Sequence, residues 1–139
     1  MGRYRPVRVL VVDDSPDDVM IAQRAFRASR VTNELTIARD GQEAVDLMCD
    51  GADPPELVLL DIKLPRLSGH EVLRRVRADD RLAALPVVML SASQRQEAVI
   101  ESYRLGANSY IQKPAAFGRF QELLEILATY WFEVATLPE

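Results

Sequence analysis

The chain has 139 residues, 48% hydrophobic and 27% charged, with a formal net charge of −4. That length suits one domain able to bury most of its surface without disulfides or a structural metal, and the balance excludes a disordered or collagen-like chain. A single cysteine, Cys49, and a single histidine, His70, leave almost nothing for a disulfide framework, a Cys/His zinc cage or a Ser-His-Asp centre, and the acidic balance argues against a nucleic-acid surface.

Val7 to Val12 is an apolar, largely β-branched run interrupted only by Arg8, and it predicts a first buried strand. The apolar run is too short for a signal peptide and leads straight into acids, and no stretch is long enough for a transmembrane helix, so a cytoplasmic domain is expected. Asp13-Asp14-Ser15-Pro16 turns the chain. Ser15 is a natural N-cap, Pro16 suits the first helical position, and Asp17 and Asp18 complement the positive end of the helix dipole. Val19, Ala22, Ala25 and Phe26 carry that helix to about Ser29. Leu35 and Ile37 mark a shorter second strand, and Asp40 is placed to cap a second helix with Ala44, Val45, Leu47 and Met48 on its buried side and Asp50-Gly51 at its end. Leu57-Val58-Leu59-Leu60 lies between Asp53-Pro54-Pro55-Glu56 and Leu64-Pro65 and reads as a strand buried on both faces, ending in Asp61. Ser68-Gly69 start a third helix carrying Val72, Leu73 and Val76, which dissolves into Asp79-Asp80-Arg81. A fourth strand, Pro86 to Leu90, ends at Ser91; Ser91 or Ser93 is placed to cap the next helix, which Gly106 stops. Asn108 to Gln112 is a brief fifth strand before Lys113-Pro114, and Phe120, Leu123, Leu124, Leu127, Tyr130 and Trp131 mark a long final helix.

Five mostly apolar strands alternating with five helices through short connections predict an α/β fold, a parallel sheet with helices on both faces. One domain over residues 1–139 is expected, with its core at about 7–128 and a helical extension and tail at about 129–139. Asp13, Asp14, Asp61, Ser91 and Lys113 all follow strands, and in a parallel sheet those ends converge on the edge where such folds place ligands. Carboxylates packed together repel unless a divalent cation shares them, and oxygen donors of this kind suit Mg²⁺. A free carboxylate, a metal, a lysine ammonium and a serine hydroxyl are the parts of phosphoryl transfer to an aspartate, with Asp61 as nucleophile.

Asp13-Asp14, Leu59-Leu60-Asp61, Pro65, Gly69, Ser91-Ala92 and Lys113-Pro114 together resemble the motifs of the response-regulator receiver domain of two-component signalling, and the resemblance covers nearly the whole chain. It implies a flavodoxin-like doubly wound sheet of order 2-1-3-4-5. It also implies that Asp61 is the phosphoacceptor, Asp14 a direct Mg²⁺ ligand and Asp13 a partner acid acting through water, with the Lys63 carbonyl as a further ligand. Ser91 matches the switch hydroxyl, Lys113 the cation that contacts the phosphoryl group, and Tyr110 the switch aromatic. The peptide before Pro114 is implied to be cis, and the phosphodonor to be a histidine kinase. The terminal Tyr130-Trp131-Phe132 and Thr136-Leu137-Pro138, with the chain ending after one receiver domain, are similar to single-domain regulators that partner bacterial phytochrome kinases.

Each of these residues also has a plainer reading. An acid pair after a strand is often only a helix start, Ser91 could be a simple cap, Lys113 an exposed lysine, and His70 reads as a solvated helix residue. Lys63, two residues past Asp61, either overlooks the site and tunes the lifetime of an acyl phosphate or is a surface lysine. Consecutive helix positions point about 100° apart, so Tyr130, Trp131 and Phe132 cannot all be buried on one face. Either the helix end tucks into its own domain or it leaves an apolar patch, and two-fold pairing makes a homodimer through these residues, Leu137 and Pro138 the expectation. Two other functions compete: a phosphohydrolase forming an aspartyl phosphate, disfavoured because Asp61-Ile62-Lys63 lacks a second acid, and a phosphate-independent interaction module, disfavoured by the intact acids.

Overall fold

Apolar runs without alternation need cover on both faces, and a sheet flanked by helices supplies it. The computed structural model describes residues 5–51 and 53–138. Strands β1 (Val7–Val12), β2 (Asn33–Ala38), β3 (Leu57–Asp61), β4 (Val87–Ser91) and β5 (Ser109–Gln112) form one sheet in the order β2-β1-β3-β4-β5, every neighbouring pair parallel. Helices α1 (Pro16–Arg27), α2 (Gly41–Cys49), α3 (Gly69–Ala78), α4 (Gln96–Arg104) and α5 (Phe117–Thr129) connect and follow them. The chain winds one way from β1 to β2 and the other way from β2 through β3 and β4 to β5. Right-handed crossovers therefore place helices on opposite faces.

The two faces hold separate cores. Val9, Val11, Leu57, Leu59, Val88 and Leu90 point toward α1 and α5, where they meet Ile21, Ala25, Phe26, Phe120 and Leu124. Leu10, Val12, Val58, Leu60 and Met89 point the other way, toward Ala44, Met48, Val72, Leu73 and Val76 of α2 and α3. Leu57 through Leu60 are fully buried, and each such side chain stabilises the fold by about 1.5–3 kcal/mol relative to exposure. β2, at the sheet edge, alternates instead between exposed and half-buried positions.

The helix starts follow their caps. The Ser15, Asp40 and Ser68 side chains accept from the backbone N–H groups of Asp18, Glu43 and Glu71. Beyond α3 the run Asp80–Leu82 forms a single 3₁₀ turn, capped at its start by the Asp79 side chain, which accepts from the Arg81 N–H. α4 departs from expectation: neither Ser91 nor Ser93 caps it. The Ser91 Oγ accepts from the Ser93 N–H (3.1 Å) and the Ser93 Oγ from the Arg95 N–H (3.2 Å), so both hydroxyls shape the β4–α4 loop and the helix begins at Gln96 without a side-chain cap. α4 is also lightly seated, with Ser102 its one buried residue.

Two further expectations are corrected. His70 is not a solvated helix residue: it is half-buried, its ring nitrogen lies 2.8 Å from the Ser102 hydroxyl of α4, and burial pushes its pKa below the usual histidine value. The position faces α4 across the sheet surface, which helical periodicity within α3 alone did not reveal. No peptide among the described residues is cis, so the bond before Pro114 is trans, the isomer favoured by about 0.5–1 kcal/mol in X-Pro bonds.

At its end α5 widens into a π turn, Tyr130–Val134. Tyr130 is half exposed, as the spacing of consecutive helix positions requires of at least one aromatic. Phe132 turns inward and meets Phe26 of α1 edge-on, ring centroids 5.7 Å apart, and Trp131, Phe132 and Leu137 pack against the α1/α5 core. An ion pair between Arg30 and Glu133 ties the turn to the segment after α1.

Candidate functional site

The carboxyl ends of β1, β3, β4 and β5 bring the chemistry together. Asp13 directly follows β1, where its N–H donates to the Ala38 carbonyl of β2, and it is buried. Its Oδ1 accepts from the Ser15 N–H at 3.0 Å. Asp14, next in the chain, is exposed. Asp61 is the last residue of β3, and its Oδ1 accepts from the Ile62 N–H at 2.8 Å. Lys113 follows β5, tied by its N–H to the Ser91 carbonyl at 2.7 Å. Its ammonium reaches Asp13 Oδ2 at 2.7 Å, Asp18 Oδ2 at 2.9 Å and Asp61 Oδ2 at 3.1 Å.

Gly69 makes the closure on the β3 side possible. A Cβ there would lie 2.1 Å from the Asp61 carbonyl oxygen, so only glycine lets the start of α3 fold back and donate its N–H to the Ile62 carbonyl.

Asp13, Asp14 and Asp61 each offer a carboxylate oxygen, and these lie within 4.8 Å of one another. Burial pushes the pKa values of Asp13 and Asp61 above the ordinary aspartate value, and Lys113 opposes this without overcoming it. Burial would lower the Lys113 pKa, but the hydrogen bonds and charges of Asp13, Asp18 and Asp61 outweigh it and hold the ammonium firmly protonated. One ammonium facing three anions stays charged, whereas those anions share a single cation and remain undercompensated. The donor set therefore fits a hard divalent cation, bound through oxygen and adding the positive charge that the pocket lacks.

Ser91 is buried beside the cluster, one residue past Leu90, the residue paired with Asp61. Tyr110 of β5 is half-buried, its hydroxyl donating to the Ser93 carbonyl at 3.0 Å and its N–H to the Tyr103 hydroxyl at 3.1 Å. Lys63 is exposed in the β3–α3 loop. Tyr130, Trp131 and Phe132 lie away from this edge, in the turn after α5; Leu137 packs on the α1/α5 core, and Pro138 borders a hollow beside Arg5, Arg8 and Pro54. The residue that sequence reasoning missed is Asp18, taken only as a charge at a helix start. The signal was the spacing Ser15-x-x-Asp18: in a capping box the acid at the third helical position reaches back to the N-cap N–H, but here Asp13 takes that N–H and Asp18 turns to Lys113.

The family model for the response regulator receiver domain matches residues 9–126. The probable methanogenesis regulatory protein FilR2 of Methanothrix harundinacea is 35% identical over 130 residues, covering 91% of this chain and 84% of that protein. Response regulator Rcp1 of Synechocystis is 33% identical over 138 residues, covering 96% and 94% of the two chains, and the crystal structure of its Mn²⁺-bound form superposes with a TM-score of 0.92 over 96% of this chain and 100% of that one. The phosphorylated cyanobacterial phytochrome response regulator RcpA, 33% identical, has a TM-score of 0.93 over 97% of this chain and 100% of that one. With the sheet order, the acid cluster and the lysine in the same places along the chain that the motifs predict, the protein belongs to the response-regulator receiver domain family of two-component signalling.

Proposed function

We propose that Asp61 is the phosphoacceptor: one carboxylate oxygen attacks the phosphorus of a phosphohistidine on a sensor kinase, the P–N bond breaks, and an acyl phosphate forms on Asp61. The observation that carries this reading is the convergence of Asp13, Asp14, Asp61 and the Lys113 ammonium at the sheet's carboxyl edge. Asp14 and Asp61 would hold Mg²⁺ directly, Asp13 through water, with the Lys63 carbonyl as a further ligand. Mg²⁺, when bound, would neutralise the incoming phosphoryl oxygens. Lys113 supplies a second cation, Ser91 a hydroxyl close to the strand end, and Tyr110 follows the β4–α4 loop through its bond to the Ser93 carbonyl. Lys63, exposed beside the site, is placed to alter water access to the acyl phosphate.

Signalling then passes through α4 and β5, where one buried serine and two tyrosine hydrogen bonds are the seating to be repacked. The chain acts as a receiver over its core at 7–128, with 129–139 as a helical extension, in the cytoplasm, and turns over no separate substrate. No helix among the described residues is long and apolar enough to cross a membrane. Its likeness over nearly full length to RcpA, described as a phytochrome response regulator, supports a bacteriophytochrome kinase as the phosphodonor. A homodimer forms through the end of α5: Ile126 and Tyr130 are exposed and line a groove with Ile111, Leu123, Leu127 and Trp131, Val134 is exposed one turn on, and Phe132, Leu137 and Pro138 follow in the chain. Phosphotransfer from an autophosphorylated bacteriophytochrome kinase tests the donor assignment. Rapid transfer to wild type and none to Asp61→Asn is expected; no transfer to wild type from that kinase while another histidine kinase donates would overturn the phytochrome link.

A further inference from the structure

Lys113 has three N–H donors, and in this structure Asp13, Asp18 and Asp61 accept all of them. Two of those acceptors belong to the acid set that fits a divalent cation, so the cation and the ammonium draw on the same carboxylates and repel each other. Asp18 stands outside that set. It sits in the first turn of α1, its backbone N–H donating to Ser15 Oγ at 3.3 Å, and its carboxylate is released from the capping box because the Ser15 N–H is taken by Asp13.

We propose that Asp18 is a positioning residue that holds the Lys113 ammonium to one side of the acid pocket, so that a divalent cation can take over Asp13 and Asp61 while the lysine stays within reach of the phosphoacceptor. Without Asp18 the ammonium would lean wholly on the two shared carboxylates and compete with the metal for them. The inference rests on the reading of Asp13, Asp14 and Asp61 as a divalent-cation site. It assigns Asp18 no contact with the metal or the phosphoryl group.

The test is a double-mutant cycle read by calorimetric titration of the full chain with Mg²⁺ alone, using wild type, Asp18→Asn, Lys113→Ala and the double variant. Asparagine keeps the shape of Asp18 and leaves the Ser15–Asp18 backbone bond in place. Asp18→Asn is expected to weaken Mg²⁺ binding about fivefold in the wild-type background and by no more than about twofold once Lys113 is alanine, because the effect runs through the lysine. An equal loss in both backgrounds means a lysine-independent charge or structural role, and that result, or no loss in either, overturns the proposal. Asp14→Asn tests the underlying site separately: wild type should bind Mg²⁺ and Asp14→Asn should lose most of that binding. If wild type takes up no Mg²⁺, the cation site itself is wrong and this inference falls with it.

Discussion

Removing Lys113 should turn the acid cluster against the fold, and the loss should depend on pH. The ammonium lies within 3.1 Å of three carboxylate oxygens, and the side chains of Lys113, Asp13 and Asp61 are only 10%, 5% and 12% exposed. Taking one partner from a buried ion pair costs about 3–5 kcal/mol, and since the acids can relieve part of the strain by binding protons, Lys113→Ala should cost about 3 kcal/mol near neutral pH. Asp13 and Asp61 already have folded-state pKa values above the ordinary 3.8, and the substitution raises them further. A carboxyl group with a raised folded pKa binds more protons folded than unfolded, so its contribution falls as pH rises above the unfolded value and is regained on acidification. The lysine works in a separate window: its own raised pKa gives stability that is complete below the ordinary lysine value and lost only in alkaline solution. The destabilisation by Lys113→Ala should therefore shrink between about pH 7.5 and about pH 5, by about 1.4 kcal/mol for each pK unit of the acids' rise that falls inside that window. Urea unfolding of both proteins at the two pH values without metal measures it, and millimolar Mg²⁺ at the higher pH should restore part of the loss. A destabilisation that is the same at both pH values, or below about 1 kcal/mol at the higher one, refutes this account of the cluster.

Gly69→Ala would drive a Cβ into the Asp61 carbonyl and the Ile62 backbone, atoms that cannot turn aside, and should cost about 2 kcal/mol or more in the same unfolding assay; an unchanged curve would contradict the close approach. Lys63→Ala should change the decay rate of the phosphorylated protein followed by intact mass, and an unchanged rate returns Lys63 to the role of a surface lysine. Light scattering should report a dimer that Tyr130→Asp dissociates; a concentration-independent monomer, with and without phosphorylation, would sink the interface at the end of α5.

Much of the fold was legible because local signals agreed with the tertiary outcome. The largely apolar runs ending at Val12, Leu60 and Leu90 read as strands covered on both faces, and Ser15, Asp40 and Ser68 announced their helices by cap chemistry that depends on a few neighbouring residues. The convergence of Asp13, Asp14, Asp61 and Lys113 followed from parallel topology alone. Much of what was hidden depends on contacts between elements distant in sequence. Asp13 takes the Ser15 N–H from only two residues away, but Asp18 and Lys113 are 95 residues apart, and nothing local shows where the freed Asp18 carboxylate turns. His70 meets Ser102 across 32 residues, which a helical pattern within α3 cannot register. The π turn at Tyr130–Val134 contains Phe132, which packs on Phe26 of α1, a contact the sequence does not show; the late start of α4 is local by contrast, since two serine hydroxyls accept from N–H groups two residues on within their own loop.

The most direct measurement is intact mass after incubation with Mg²⁺ and a small-molecule phosphodonor. Wild type should gain one phosphoryl group and Asp61→Asn none, with the gain abolished when the metal is chelated. An Asp61→Asn protein that gains the same group would remove Asp61 from its role and contradict the central claim.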